Sequence, residues 1–122
     1  RNGLGFPGMV VLLWSFSGPP DNPHRLENHR ENQVVYTSTH DTDTLAGHTG
    51  EADVWPLIEH ALSSRSALAI VPAQDVLGLG SEARMNRPGE VGGNWCWRLE
   101  PGLLEPVLAA RLRAAAEASD RA

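Results

Sequence analysis

The chain has 122 residues, 41% of them hydrophobic and 20% charged, with a net charge of −5. That length suits one modest unit, and the composition is ordinary for globular proteins, which excludes a disordered polar tract. The basic residues are scattered on an acidic background, which argues against nucleic acid or an anionic membrane as the main partner.

No run of about 18 apolar residues exists, so no segment is expected to span a membrane. The N-terminus lacks the basic, apolar and small-residue succession of a signal peptide, and Cys96 has no second cysteine to pair with. A cytoplasmic location is the expectation. The first residue is Arg1, not Met, and the sequence runs at once into an apolar stretch, as in a chain cut from something longer.

In chain order, residues 9–14 form a continuous apolar run, which predicts a strand buried on both faces of a parallel sheet. The Gly/Pro-rich segment 17–23 predicts a loop, and the polar stretch 24–33 continues it without helical or strand period. Residues 34–37, rich in valine, predict a second strand. A helix follows, with Glu51 or Asp53 at its start, Pro56 in its first turn, and Trp55, Ile58, Ala61 and Leu62 recurring at spacings of three and four. A third strand is expected at 67–71, then a short helical or turn segment at 74–80. A glycine-rich crossing leads to Trp95 and Trp97, and an Ala/Leu/Arg-rich closing helix runs from about Leu103 to Ala118. The alternation predicts a parallel α/β architecture. Three strands cannot close a barrel, which needs eight strands and roughly 250 residues, so the pattern resembles the last third of one.

Chemistry is concentrated at Thr39-His40-Asp41-Thr42-Asp43-Thr44, directly after the second strand. In parallel barrels, the loops at the C-terminal ends of the strands share one mouth, and catalytic groups gather there. The alternative is structural, with Asp43 or Thr44 capping the next helix and His40 making one core hydrogen bond. Residue types alone leave both open. A metal site from His40, Asp41 and Asp43 lacks the usual ligand spacing, and His24, His29, His48 and His60 fall in loops or on a helix surface without a paired pattern. No serine sits on a strand-to-helix elbow, and Cys96 between two tryptophans predicts a buried small hydrophobe. Aromatic rings with amide and carboxylate side chains suit a sugar site, and Phe16, Asn28, His40, Asp41, Gln74, Asn86 and Asn94 are the candidates.

Four blocks in order carry a resemblance: residues 4–9 (LGFPGM), 34–44 (VVYTSTHDTDT), 72–86 (PAQDVLGLGSEARMN) and 93–98 (GNWCWR). They resemble the amylomaltase, or 4-alpha-glucanotransferase, family. The resemblance implies the C-terminal portion, about the last three β/α units, of a TIM-type (β/α)8 barrel closed by a C-terminal helix. Residues 1–122 would all belong to that one catalytic domain. It also implies a retaining transfer of α-1,4-glucan segments through a glycosyl-enzyme, which needs a carboxylate nucleophile and a second carboxylic acid. Asp41 matches the family's third carboxylate, the transition-state stabiliser, and His40 would bind the same sugar. Gln74 and Asn86 would contact the glucan, and Phe16 would be a stacking wall. No cofactor and no metal are implied. The partners implied are a glucan donor, a sugar acceptor and the N-terminal part of the barrel, which is missing from these residues.

Departures from the family pattern are Thr42 where asparagine is usual, Ser17 where an acid is common, and a short connection from Thr44 to Trp55. The blocks of the nucleophile and the acid/base are not found. Competing readings are a non-catalytic glucan-binding or assembly module that folds with a partner chain, and a barrel that hydrolyses glucans instead of transferring them.

Overall fold

The computed structural model describes residues 6–121; residues 4–5 of the first block lie outside them. Three strands, β1 (Gly8–Val11), β2 (Gln33–Tyr36) and β3 (Leu68–Ile70), form one parallel sheet in the order β1-β2-β3. Met9 pairs with Val34 and Val34 with Leu68; the next rows are Val10, Val35 and Ala69, then Val11, Tyr36 and Ile70. Parallel neighbours need long connections. The first holds short 3-10 turns at Leu12–Ser15 and Leu26–Asn28; the second holds helices α1 (Leu45–Thr49) and α2 (Trp55–Leu62). After β3 come the one-turn helix α3 (Ala73–Val76), a 3-10 turn at Ser81–Ala83, and α4 (Pro106–Ala118).

The core lies between the sheet and α2. Val10 and Val35 join Trp55, Ile58, Ala61 and Leu62, the helix stripe expected from spacing. Burying a side chain such as Ile58 contributes about 1.5–3 kcal/mol. Pro56 stands in the first turn of α2, where its missing N–H costs nothing, and Asp53 Oδ1 accepts from the Trp55 amide at 3.1 Å. Outside α2 lies α4, with Leu108, Leu112 and Ala115 against the core and the Arg111 guanidinium 4.4 Å over the Trp55 ring. Arg121 then donates to the carbonyls of Leu62 and Ser64, both at 2.7 Å.

Several expectations are corrected. The first strand ends at Val11, because buried Leu12 and Leu13 enter a 3-10 turn; an apolar run reports burial, not extension. The closing helix begins at Pro106, not at 103. His29 is buried, its Nδ1 2.6 Å from Ser64 Oγ and its Nε2 2.9 Å from the His24 carbonyl. Cys96 is exposed instead of buried. Among the described residues no helix is long and apolar enough to cross a membrane.

The other sheet face is open at its edges. Met9 on β1 and Leu68 and Ile70 on β3 are 45%, 59% and 46% exposed on that face, at the two edge strands, while Val34 between Met9 and Leu68 is buried. Parallel sheets are stable when both faces are covered.

Candidate active site

Beyond β2 the chain sinks through Thr37 and Ser38, both buried, and then makes a latched turn. Thr42 Oγ1 accepts from the Thr39 amide at 3.0 Å, and the Thr42 amide donates to the Thr39 carbonyl at 3.3 Å. His40 and Asp41 stand at the tip of this turn, with side chains 58% and 52% exposed. Threonines thus shape the turn with local hydrogen bonds that compete with regular structure.

Asp41 is held from two sides. Asn86 Nδ2 donates to its Oδ1 at 2.6 Å, and His40 Nε2 lies 3.3 Å from its Oδ2. Arg84 donates to the Asp41 carbonyl at 3.3 Å and the Asn86 carbonyl at 3.2 Å, tying the late loop to the turn. The His40 ring leans on Trp95, with centroids 5.2 Å apart and planes at 37°. A cleft of about 250 Å³ opens beside His40, lined among others by Tyr36, His40, Gln74, Arg84 and Met85, with neither Asp41 nor Asn86 in its lining. Gln74 Nε2 donates to the Ala83 carbonyl at 3.2 Å, which fixes its amide at the cleft wall.

The remaining acids of the region are committed elsewhere. Asp43 accepts from the Thr44 amide and from Ser81 Oγ, each at 2.8 Å. Thr44 caps α1, its Oγ1 accepting from the Gly47 amide at 3.0 Å. Asp75 is fully buried and accepts three hydrogen bonds. So the turn is at once a cap and a presented carboxylate. Among the described residues no group of three or more His, Cys, Asp or Glu side chains could hold a metal ion.

The other candidates lie apart from this cleft. Asn28 spends its amide on the carbonyls of Pro20 and Asn22, both at 2.8 Å, inside the loop after β1. Phe16, in the same loop, stacks on His48 with centroids 6.3 Å apart, and neither it nor Asn28 lines the cleft. Asn94 Oδ1 accepts from the Arg87 amide at 2.9 Å and its Nδ2 donates to the Glu90 carbonyl at 3.0 Å, so it shapes its own loop. Sequence reasoning missed Asp75, Ser81 and Arg84. An acid followed by Val76 and Leu77 was the available signal for Asp75.

The sequence pattern of the family described as 4-alpha-glucanotransferase matches residues 1–54 and 48–105. The chain belongs to the 4-alpha-glucanotransferase family. A chloroplastic/amyloplastic 4-alpha-glucanotransferase of Arabidopsis thaliana is 46% identical over 118 residues, covering 81% of this chain and 20% of that protein. The 4-alpha-glucanotransferase of Thermus thermophilus is 42% identical, covering 99% of this chain and 29% of the relative. The structure of the amylomaltase from Streptococcus agalactiae in complex with acarbose superposes with a TM-score of 0.85 at 27% identity, over 98% of this chain and 28% of that one. The chain therefore spans under a third of the length of these relatives. The Thermus alignment runs over 147 positions, more than this chain contains, and the two family segments meet at 48–54, between α1 and α2.

Proposed function

We propose that this chain is the C-terminal segment of a cytoplasmic 4-alpha-glucanotransferase that moves α-1,4-glucan segments from a donor to a sugar acceptor. Its three strands are the last three β/α units of a (β/α)8 barrel, and the whole segment is part of that single catalytic domain. The exposed apolar residues Met9, Leu68 and Ile70 on the edge strands support this reading, because upstream barrel strands and their side chains would cover them.

The observation that carries the reading is the Asp41 carboxylate, held by Asn86 and His40 in the turn after a parallel strand. Retaining transfer proceeds through an oxocarbenium-like transition state, with one carboxylate as nucleophile and another as acid and then base. Asp43 and Asp75 are engaged by other partners, so the upstream part of the enzyme supplies both groups. Asp41 is the third carboxylate. Its oxygens accept hydroxyl hydrogens of the reacting sugar, in bonds that strengthen as positive charge develops on the ring. His40, Gln74 and Asn86 give further polar contacts, and Phe16, which lies outside this cleft, offers a stacking ring on the loop after β1.

The test is maltotriose disproportionation by the full-length enzyme with Asp41→Asn. A fall in kcat of about 10³-fold or more is expected, since electrostatic transition-state contacts are worth that much. An unchanged rate would remove Asp41 from the mechanism. Transfer lengthens part of the glucan while conserving the number of reducing ends, with or without added glucose acceptor; a net rise in reducing ends would favour the hydrolase reading.

A further inference from the structure

Asp75 is 0% exposed, and none of the ion pairs found among the described residues includes it. A buried carboxylate is costly unless hydrogen bonds satisfy it. Three neutral donors do so. Thr37 Oγ1 and Ser38 Oγ each donate to Oδ2 at 2.6 Å, and the Leu45 amide donates to Oδ1 at 2.8 Å.

The origin of these donors gives the arrangement its meaning. Thr37 and Ser38 follow β2, and Leu45 opens α1. Between them lie residues 39–44, the turn that presents His40 and Asp41. One carboxylate, carried on α3 after the neighbouring strand β3, therefore pins both ends of that turn. All three anchor residues are themselves buried, so the pins sit in a dry environment where charge-assisted hydrogen bonds are strong.

We infer that Asp75 is a positioning residue for Asp41, a buried brace that fixes the turn in which Asp41 meets the reacting sugar; this rests on the glucan-transfer reading above. An acid is required at this place. A carboxylate accepts all three hydrogen bonds, whereas an asparagine offers an NH2 group that faces at least one of the donors. Freeing the turn displaces Asp41 by a fraction of its hydrogen-bond length, and misplacement on the ångström scale can cost about 10²-fold in rate.

The test uses the full-length enzyme. Asp75→Asn should lower kcat for maltotriose disproportionation by about 10²-fold with KM little changed. In an Asp41→Asn background the same substitution should add no further loss, because the brace acts through Asp41. Hydrogen exchange should quicken over residues 37–45 and stay unchanged over β1 and α2. Ser38→Ala, which removes one donor and leaves the acid, should give a smaller loss with the same non-additivity, and it carries the test if Asp75→Asn does not fold.

Unchanged exchange at 37–45 in a folded variant would overturn the brace. Faster exchange with a loss that simply adds to that of Asp41→Asn would overturn the positioning role. If the unsubstituted enzyme transfers no glucan, the functional reading fails, and the brace stands or falls on exchange alone.

Discussion

Asn86 donates its amide to Asp41 Oδ1 at 2.6 Å, joining residues 45 positions apart. Hydrogen bonds to a charged group are worth about 1.5–3 kcal/mol, so Asn86→Ala should cost roughly 10- to 100-fold in kcat. Asn86→Asp should cost at least as much at neutral pH, since a second carboxylate at that distance disfavours the ionised form of Asp41. Initial rates of maltotriose disproportionation by the full-length enzyme check both; an Asn86→Asp rate above that of Asn86→Ala would contradict the assignment.

Gly47 offers a prediction of reversed sign. Alanine in place of a helical glycine ordinarily gains about 0.5–1 kcal/mol. Here a Cβ would collide with the Asp43 carboxylate and the Ser81 hydroxyl, which are hydrogen-bonded to each other. Gly47→Ala should therefore lower Tm, and adding Ser81→Ala should recover part of the loss by making room. Thermal melts of the two variants beside the unsubstituted protein decide it.

Thr44 caps α1 through the Gly47 amide. Thr44→Ala should cost about 1 kcal/mol of stability, while Thr44→Ser should be nearly neutral because the capping oxygen is kept. Denaturant titration of the two variants side by side would show the difference.

Two histidines make stability depend on pH. Burial lowers the pKa of His24 below 6.5, helped by the nearby His29. Burial also lowers that of His29; His60 and Arg65 add to the shift, while the His24 carbonyl and Glu27 oppose it. His24 Nδ1 must be unprotonated to accept the Val11 amide at 3.0 Å. Both groups thus favour the neutral form in the fold. Their contribution is complete above the unfolded pKa of about 6.5 and is lost as pH falls through the lowered folded values. Tm should hold near pH 7.5 and decline below pH 6.5, with a shallower decline in His24→Gln. Equal slopes in the two proteins would refute this.

The elements most legible in the sequence were those set by local chemistry. The valines of β2 and the three-and-four spacing of Trp55, Ile58, Ala61 and Leu62 specify their elements without outside help. The end of β1 was not legible, because Leu12 and Leu13 are apolar for the sake of a core made by distant residues. His29 was hidden for a similar reason, since its partner Ser64 lies 35 positions away. The cluster at 39–44 left two roles open: Thr44 does cap a helix, but His40 is exposed and makes no core hydrogen bond, and Asp41 stands at the tip held by Asn86 and His40. The resemblance singled out His40, Asp41 and Asn86, which the structure brings together. It gave no hint of Asp75, whose importance depends on three donors converging from β2 and α1. Cys96 misled because burial between two tryptophans requires the tryptophans to be buried, and Trp95 is half exposed.

On the proposed function, the parallel order β1-β2-β3 would set how much of a glucan this segment can grip. Neighbouring strands stand about 4.8 Å apart, so the loops bearing Phe16, Asp41 and Gln74 leave the sheet along an arc of about 10 Å. A linear oligosaccharide is longer than that arc. In that proposal this segment would be one wall panel of a longer furrow, and substitutions in it should alter how the central sugar is handled far more than how long a chain the enzyme prefers.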